Sequence, residues 1–403
     1  ITIKSNTKDV YGGGFAGSAN TSTVDLINGT VDGSVYGGGY QGPTTTSYVN
    51  LTGATINKDI YGGGNAGETI EANVSLTSGT VKNSVYGGGF EGKTITANLT
   101  FDGATIIKDI YGGGNEGLTD TTNILIESGT IEGTIYGAGF GSTSQTNYVN
   151  IIIKSDVNNV YGGGFAGIAG VTSVDLISNT VVGSVFGGGF QGPTTTATVS
   201  LNGANITEDI YGGGDEGLTS STTVLINSGT VGGTIYGAGR GALSHTENIN
   251  VLIKTDINKV YGGGNAGSCG DTVVRIEKGT VEDNVYGGGY AGTSQNTKVQ
   301  IDDSNNLSGI LIKGSVFGGG EGITASVYES TDVYIDLALD MTVTEQLESL
   351  GDISGISNVT VNFNGTYSKI LGSVYGGGDL GQVGEGIINI INNTASISQT
   401  AEL

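Results

Sequence analysis

Residues 35–42 read Val35-Tyr36-Gly37-Gly38-Gly39-Tyr40-Gln41-Gly42, and the same phrase returns as Val85-Tyr86-Gly87-Gly88-Gly89-Phe90-Glu91-Gly92 and as Val285-Tyr286-Gly287-Gly288-Gly289-Tyr290-Ala291-Gly292. Working outward, an aromatic followed by Gly recurs at Tyr11, Tyr36, Tyr61, Tyr86, Tyr111, Tyr136, Tyr161, Phe186, Tyr211, Tyr236, Tyr261 and Tyr286, always 25 residues apart. Phe317 and Tyr375 continue the series after steps of 31 and 58. Equal steps leave no room for insertions, so every copy must fill the same space.

Other ladders share the period. Aliphatics precede the aromatic at Val10, Val35, Ile60, Val85, Ile110, Ile135 and onward to Val285. Pairs two apart follow: Val24 with Leu26, Val49 with Leu51, Val74 with Leu76, Leu99 with Phe101. That alternation is the strand signal. A third aliphatic closes each copy at Val31, Ile56, Val81, Ile106 and Ile131, and Gly, Asn, Ser and Asp between these points read as turns. No helical stripe occurs. A copy therefore reads as three short strands: residues 34–36, about 46–51, and 55–56.

Such a unit cannot bury its own apolar face. Stacked copies can, because each lends its backbone N–H and C=O groups to the next. The expected fold is all-β: a right-handed parallel β-helix, or β-solenoid, with about 25 residues and three short strands per coil. At ~4.8 Å per coil, fourteen copies would make a rod of roughly 65 Å. The expected organisation is twelve regular coils over 1–300, then irregular coils over 301–403 with a long insertion near 321–358. In that insertion Thr344 to Leu350 reads as a short helix stopped by Gly351, and coils resume at Val359 to Val361.

Asp9, Asp59, Asp109 and Asp209 alternate with Ser34, Ser84, Thr134, Ser184 and Thr234, so a two-coil period overlies the basic one and reads as tandem duplication.

Composition narrows the function. Of 403 residues 77 are Gly and only 2 Pro, which excludes collagen. Acids outnumber bases 38 to 15, for a net charge of −23, so nucleic acid is not an expected partner. One Cys, one His and no Trp exclude an internal disulfide framework and a Cys/His zinc set. No apolar run is long enough to span a membrane. Ile1 begins inside a coil pattern and Leu403 ends without an obvious cap, so the chain reads as a fragment or as a protomer that stacks end to end.

The recurring Val-Tyr-Gly-Gly-Gly-Phe/Asn-x-Gly resembles Gly-rich repeats of large secreted or surface proteins of bacteria. Its stacking logic is similar to adhesin and autotransporter-passenger β-helices of the broad pectin-lyase-like group. The resemblance covers most of 1–320 and 359–391. It implies an extracellular or surface location and carries over no catalytic motif.

Each candidate site is weighed against plain structure. Gly12 to Gly17 satisfies G-x-G-x-x-G, but nearly every coil repeats it and no helix follows, so it reads as tight turns or close backbone approach. The twelve aromatics from Tyr11 to Tyr286 are the candidate recognition or association stripe. On a straight strand Val35 and Tyr36 face opposite ways and the rings lie outside; if the chain bends there, both are internal. The residue four past the aromatic varies (Phe15, Tyr40, Asn65, Phe90, Asn115, Asp215, Arg240, Tyr290), which points to an exposed turn. The pairs Thr44/Thr46, Thr94/Thr96, Thr119/Thr121 and Thr194/Thr196 have the spacing of an ice-binding face, interrupted at Glu71, Val171 and Asp271. Calcium is the one ion offered oxygen ligands, by Asp215-Glu216, Asp302-Asp303 and Asp332/Asp336/Asp340. No cofactor and no catalytic residue is expected. No Ser or Cys shows a His partner in sequence, His245 sits in a variable turn, and Cys269 occupies a small-residue position. The reading is a non-enzymatic structural or adhesive rod, secreted or surface-displayed, that self-associates or meets glycans or a host surface. The alternatives are a glycan-binding or polysaccharide-processing β-helix and an ice-binding protein.

Overall fold

The computed structural model describes residues 1–302, 309–337, 356–363, 369–370, 372–380 and 383–391. The chain forms two compact units, residues 1–199 and 200–403. Both are all-β and built from parallel strands, with no helix among the described residues, and hence none long and apolar enough to cross a membrane. Each unit is a parallel β-solenoid with about 25 residues per coil.

In the first unit the two-residue strands Val10–Tyr11, Val35–Tyr36, Ile60–Tyr61, Val85–Tyr86, Ile110–Tyr111, Ile135–Tyr136, Val160–Tyr161 and Val185–Phe186 pair parallel, aliphatic on aliphatic and ring on ring. The remainder of each coil forms a longer strand, such as Thr44–Ile56, Thr69–Val81, Thr94–Ile106 and Leu118–Ile131. In these coils the expected second and third strands are joined, and the register slips between them, at Leu51/Thr52 for example. Gly79, Gly103 and Gly129 sit at this slip with φ of 100, 121 and 120°, which explains why glycine stands there. Elsewhere the third strand stays separate, as at Thr30–Val31 and Thr180–Val181.

The second unit repeats the plan. Its aromatic strands are Ile210–Tyr211, Thr234–Tyr236, Lys259–Tyr261, Val285–Tyr286, Val316–Phe317 and Val374–Tyr375. The longer spacing before Tyr375 accommodates an added strand, Ile356–Phe363, which pairs with both Val327–Leu337 and Val383–Ile391. Val359 and Val361 lie in that strand, opposite Val333 and Ile335. The helix expected at Thr344 to Leu350 lies outside the described residues.

The core is the aliphatic ladder. Val35, Ile60, Val85, Ile110, Val49, Leu51, Val74, Leu76, Val31 and Ile56 are almost wholly removed from solvent. Stacking thus buries in each coil what the coil alone cannot.

Candidate functional site

The aromatic ladder takes the internal alternative. Tyr36, Tyr61, Tyr86, Tyr111, Tyr136, Tyr161, Phe186, Tyr211, Tyr236, Tyr261 and Tyr286 are all buried, as are the aliphatics beside them; Tyr11 is half-buried. The strand is only two residues long, so its flanking bends free both side chains from simple alternation. Within each unit neighbouring rings stack face to face, with centroids 4.5–5.1 Å apart. A ring whose two faces meet protein has no face left for a sugar. As a platform for a ligand the stripe is closed, and its rings contribute stacking of about 0.5–1.5 kcal/mol per pair.

The residue four past the aromatic is a half-buried lid over this column, not a free turn. Phe90 packs edge-on against Tyr61, Phe140 against Tyr111 and Phe165 against Tyr136, at 5.4–5.8 Å. Phe140, Phe165 and Phe190 also pack on one another. In the second unit the position turns ionic. Arg240 grips Asp215 through two hydrogen bonds and lies over the Tyr211 ring. Glu321 accepts hydrogen bonds from Lys259 Nζ at 2.8 Å and from the Tyr261 hydroxyl. Phe15 and Tyr290 remain exposed.

Burial, and then the nearby Asp charges, push the phenols of Tyr61, Tyr86, Tyr111 and Tyr211 far above their usual range, and that of Tyr236 to about 12. The ladder is neutral at pH 7. Burial also pushes the Cys269 thiol to about 11, so it behaves as the small packed residue expected.

The two-coil alternation has a bonding reason. Asp9, Asp59, Asp109 and Asp209 each accept a hydrogen bond from the backbone N–H of the residue 25 later, Ser34, Ser84, Thr134 and Thr234, at 2.7–3.0 Å. Asn159 does the same for Ser184.

A second tie escaped the sequence reading. The hydroxyls of Ser47, Thr122, Thr172, Thr222 and Thr272 donate to the carbonyl of the first Gly after the next aromatic, Gly62, Gly137, Gly187, Gly237 and Gly287, at 2.6–2.9 Å. The constant 15-residue offset between a small hydroxyl residue and that Gly was the available signal.

The paired threonines straddle a corner. Thr44, Thr94, Thr119 and Thr194 are buried, whereas Thr46, Thr96, Thr121 and Thr196 are half-exposed, so the pair does not form one outward face. The calcium candidates are engaged elsewhere. Asp215 holds Arg240, Asp302 meets Arg275 at 3.2 Å, and Asp332 meets Lys298 at 3.4 Å. Asp303 and Asp340 lie outside the described residues.

His245 does acquire a serine partner. His245 and Ser268 are directly opposed on neighbouring strands, with Nδ1 to Oγ at 2.8 Å, and Nε2 lies 3.1 Å from Glu247 Oε2. Sequence distance hid the contact, which needs the stacked register. All three side chains stand on an outer strand face, and neither a cleft nor an oxyanion donor surrounds them.

The remaining outer-face feature is a shallow depression lined by Ser221, Thr223, Asn248, Asn250, Asp271 and Val273. No protein-family model, curated protein or solved structure matches the chain.

Proposed function

We propose that the chain is a non-enzymatic structural scaffold, secreted or displayed on a bacterial surface, whose copies associate into larger assemblies. One observation carries the reading: the groups that look chemical in the sequence are spent holding coil to coil. The phenyl and phenol faces cover each other, the aspartates cap backbone N–H groups, and the Gly triplets lie flush on backbone. What is left outside is polar, regular strand face. Net charge keeps copies soluble until an edge meets an edge.

Two measurements test it. Antibody raised against the chain should decorate intact producing cells or their medium, and sedimentation of the purified chain should reveal oligomers that grow with concentration. Confinement to the cytosol would sink the display reading, and a strictly monomeric species at all concentrations the assembly reading.

The polar depression favours a second reading, glycan binding. Ser221, Thr223, Asn248, Asn250 and Asp271 offer the hydroxyl, amide and carboxylate groups that sugar hydroxyls pair with. A glycan array with the parent chain and the Asn248→Ala/Asp271→Ala variant decides: a hit lost in the variant supports the site, and no hit removes it. Ser268 serves as the check on catalysis. Labelling by a fluorophosphonate probe that Ser268→Ala abolishes would overturn the non-enzymatic reading.

A further inference from the structure

In the first unit seven tyrosines, Tyr11 to Tyr161, form one π-stack with centroids 4.7–5.1 Å apart and ring planes within 2–17° of parallel. Rings in contact over their faces exchange electrons readily, and a phenol is among the most easily oxidised side chains. Losing an electron makes a phenol strongly acidic, so a proton acceptor must stand by. The Tyr111 hydroxyl donates to Asp109 Oδ2 at 3.3 Å. At Tyr86 a serine stands in place of the aspartate, and the charges of Asp59 and Asp109 act on its hydroxyl from the coils on either side. The column is closed to water and lidded by Phe90, Phe140 and Phe165, which are hard to oxidise. It ends in Phe186, stacked on Tyr161 at 4.5 Å, a ring with no hydroxyl.

We propose that this column carries oxidising equivalents along the first unit, one electron and one proton per hop, away from the point where a one-electron oxidant strikes. In the first step the oxidant takes one electron from a phenol, whose proton passes to the neighbouring carboxylate. The products are the reduced oxidant, a neutral tyrosyl radical and a protonated Asp. In the next step the adjoining phenol gives an electron to that radical, which regains a proton from the Asp and is a phenol again. The donor's own proton moves to the carboxylate nearest it. No bond between heavy atoms forms or breaks. Burial keeps every ring protonated beforehand, so each hop needs its acceptor, and Phe186 is where hopping stops.

The test uses the full chain with Cys269→Ser, a change matched by Ser294 in the adjoining coil. The exposed Lys8 is replaced by Cys and bears a ruthenium polypyridyl photosensitiser, with a cobalt(III) complex as irreversible electron acceptor. At position 161, 3-aminotyrosine replaces Tyr as an easily oxidised trap with its own paramagnetic resonance spectrum. Illumination should produce the aminotyrosyl radical, and Tyr86→Phe should abolish it. Phe186 and Phe317 occupy the same ladder position, so this variant keeps the stack. Tyr111→Phe is an independent block with the same expected loss. Absence of the aminotyrosyl radical in the parent, or an undiminished yield in both blocked variants, overturns the proposal.

Discussion

At the residue scale the glycine triplets answer to space. Gly37, Gly38 and Gly39 have no positive φ, so turn geometry does not demand them. A Cβ on Gly37 would lie 2.2 Å from the Gly62 carbonyl oxygen, and one on Gly62 would lie 2.3 Å from that of Gly87. The middle Gly faces a different neighbour: a Cβ on Gly113 would lie 2.8 Å from both Gly139 N and Thr146 Oγ1. The sequence carries its own compensation. Where the middle Gly becomes Ala, at Ala138 and Ala238, the Thr position of the next coil becomes Ala169 and Cys269, each paired with a Thr of the coil before. Gly113→Ala should therefore destabilise by about 1–3 kcal/mol, the usual range for overpacking. Gly113→Ala with Thr146→Ala should cost less than the two single changes summed, as a urea-denaturation double-mutant cycle will read. Strict additivity would refute the pairing.

At the element scale the ladders act as units, and two predictions belong here. Tyr86→Ala opens a gap between rings stacked 4.8 Å away on both sides and should cost roughly 3–5 kcal/mol, the range for deleting a buried aromatic. Tyr86→Phe keeps the stack and should cost far less; equal midpoints for the two variants would show that ring packing is not the source. The second concerns the ionic lid of the second unit. Burial pushes the Glu321 carboxyl up, but Lys259 and the Tyr261 hydroxyl outweigh it, and the net shift is downward. An acid held below its unfolded value contributes stability above that value and loses it as pH falls through the lower, folded one. Stability should thus decline below the ordinary Glu range of about 4.3, and Glu321→Gln should flatten that decline. An identical acid-unfolding slope in the variant would remove Glu321 from the account.

At the scale of the whole molecule, charge opposes the packing. A net charge of −23 on a chain whose strands present unpaired edges favours separate copies. Raising ionic strength from about 0.01 to 0.15 M shortens the screening length from about 30 to 8 Å and should bring copies together. Static light scattering should show the second virial coefficient falling with salt. A salt-independent coefficient would mean that electrostatics does not limit association.

Much of this was legible beforehand. Twelve aromatics 25 residues apart, with Val/Ile before them, demanded equal coils stacked in register, because only equal coils can exchange backbone hydrogen bonds all the way round. The Asp/Ser alternation was visible too, but its meaning needed the axial contact that sets each Asp under a backbone N–H of the coil above. Tertiary structure alone decided where the tyrosines went. Their burial depends on bends either side of a two-residue strand and on a lid arriving from a neighbouring coil, and no one-dimensional pattern encodes either. The same holds for His245 and Ser268, 23 residues apart in the chain and touching only because stacking turns one coil's length into a single strand spacing.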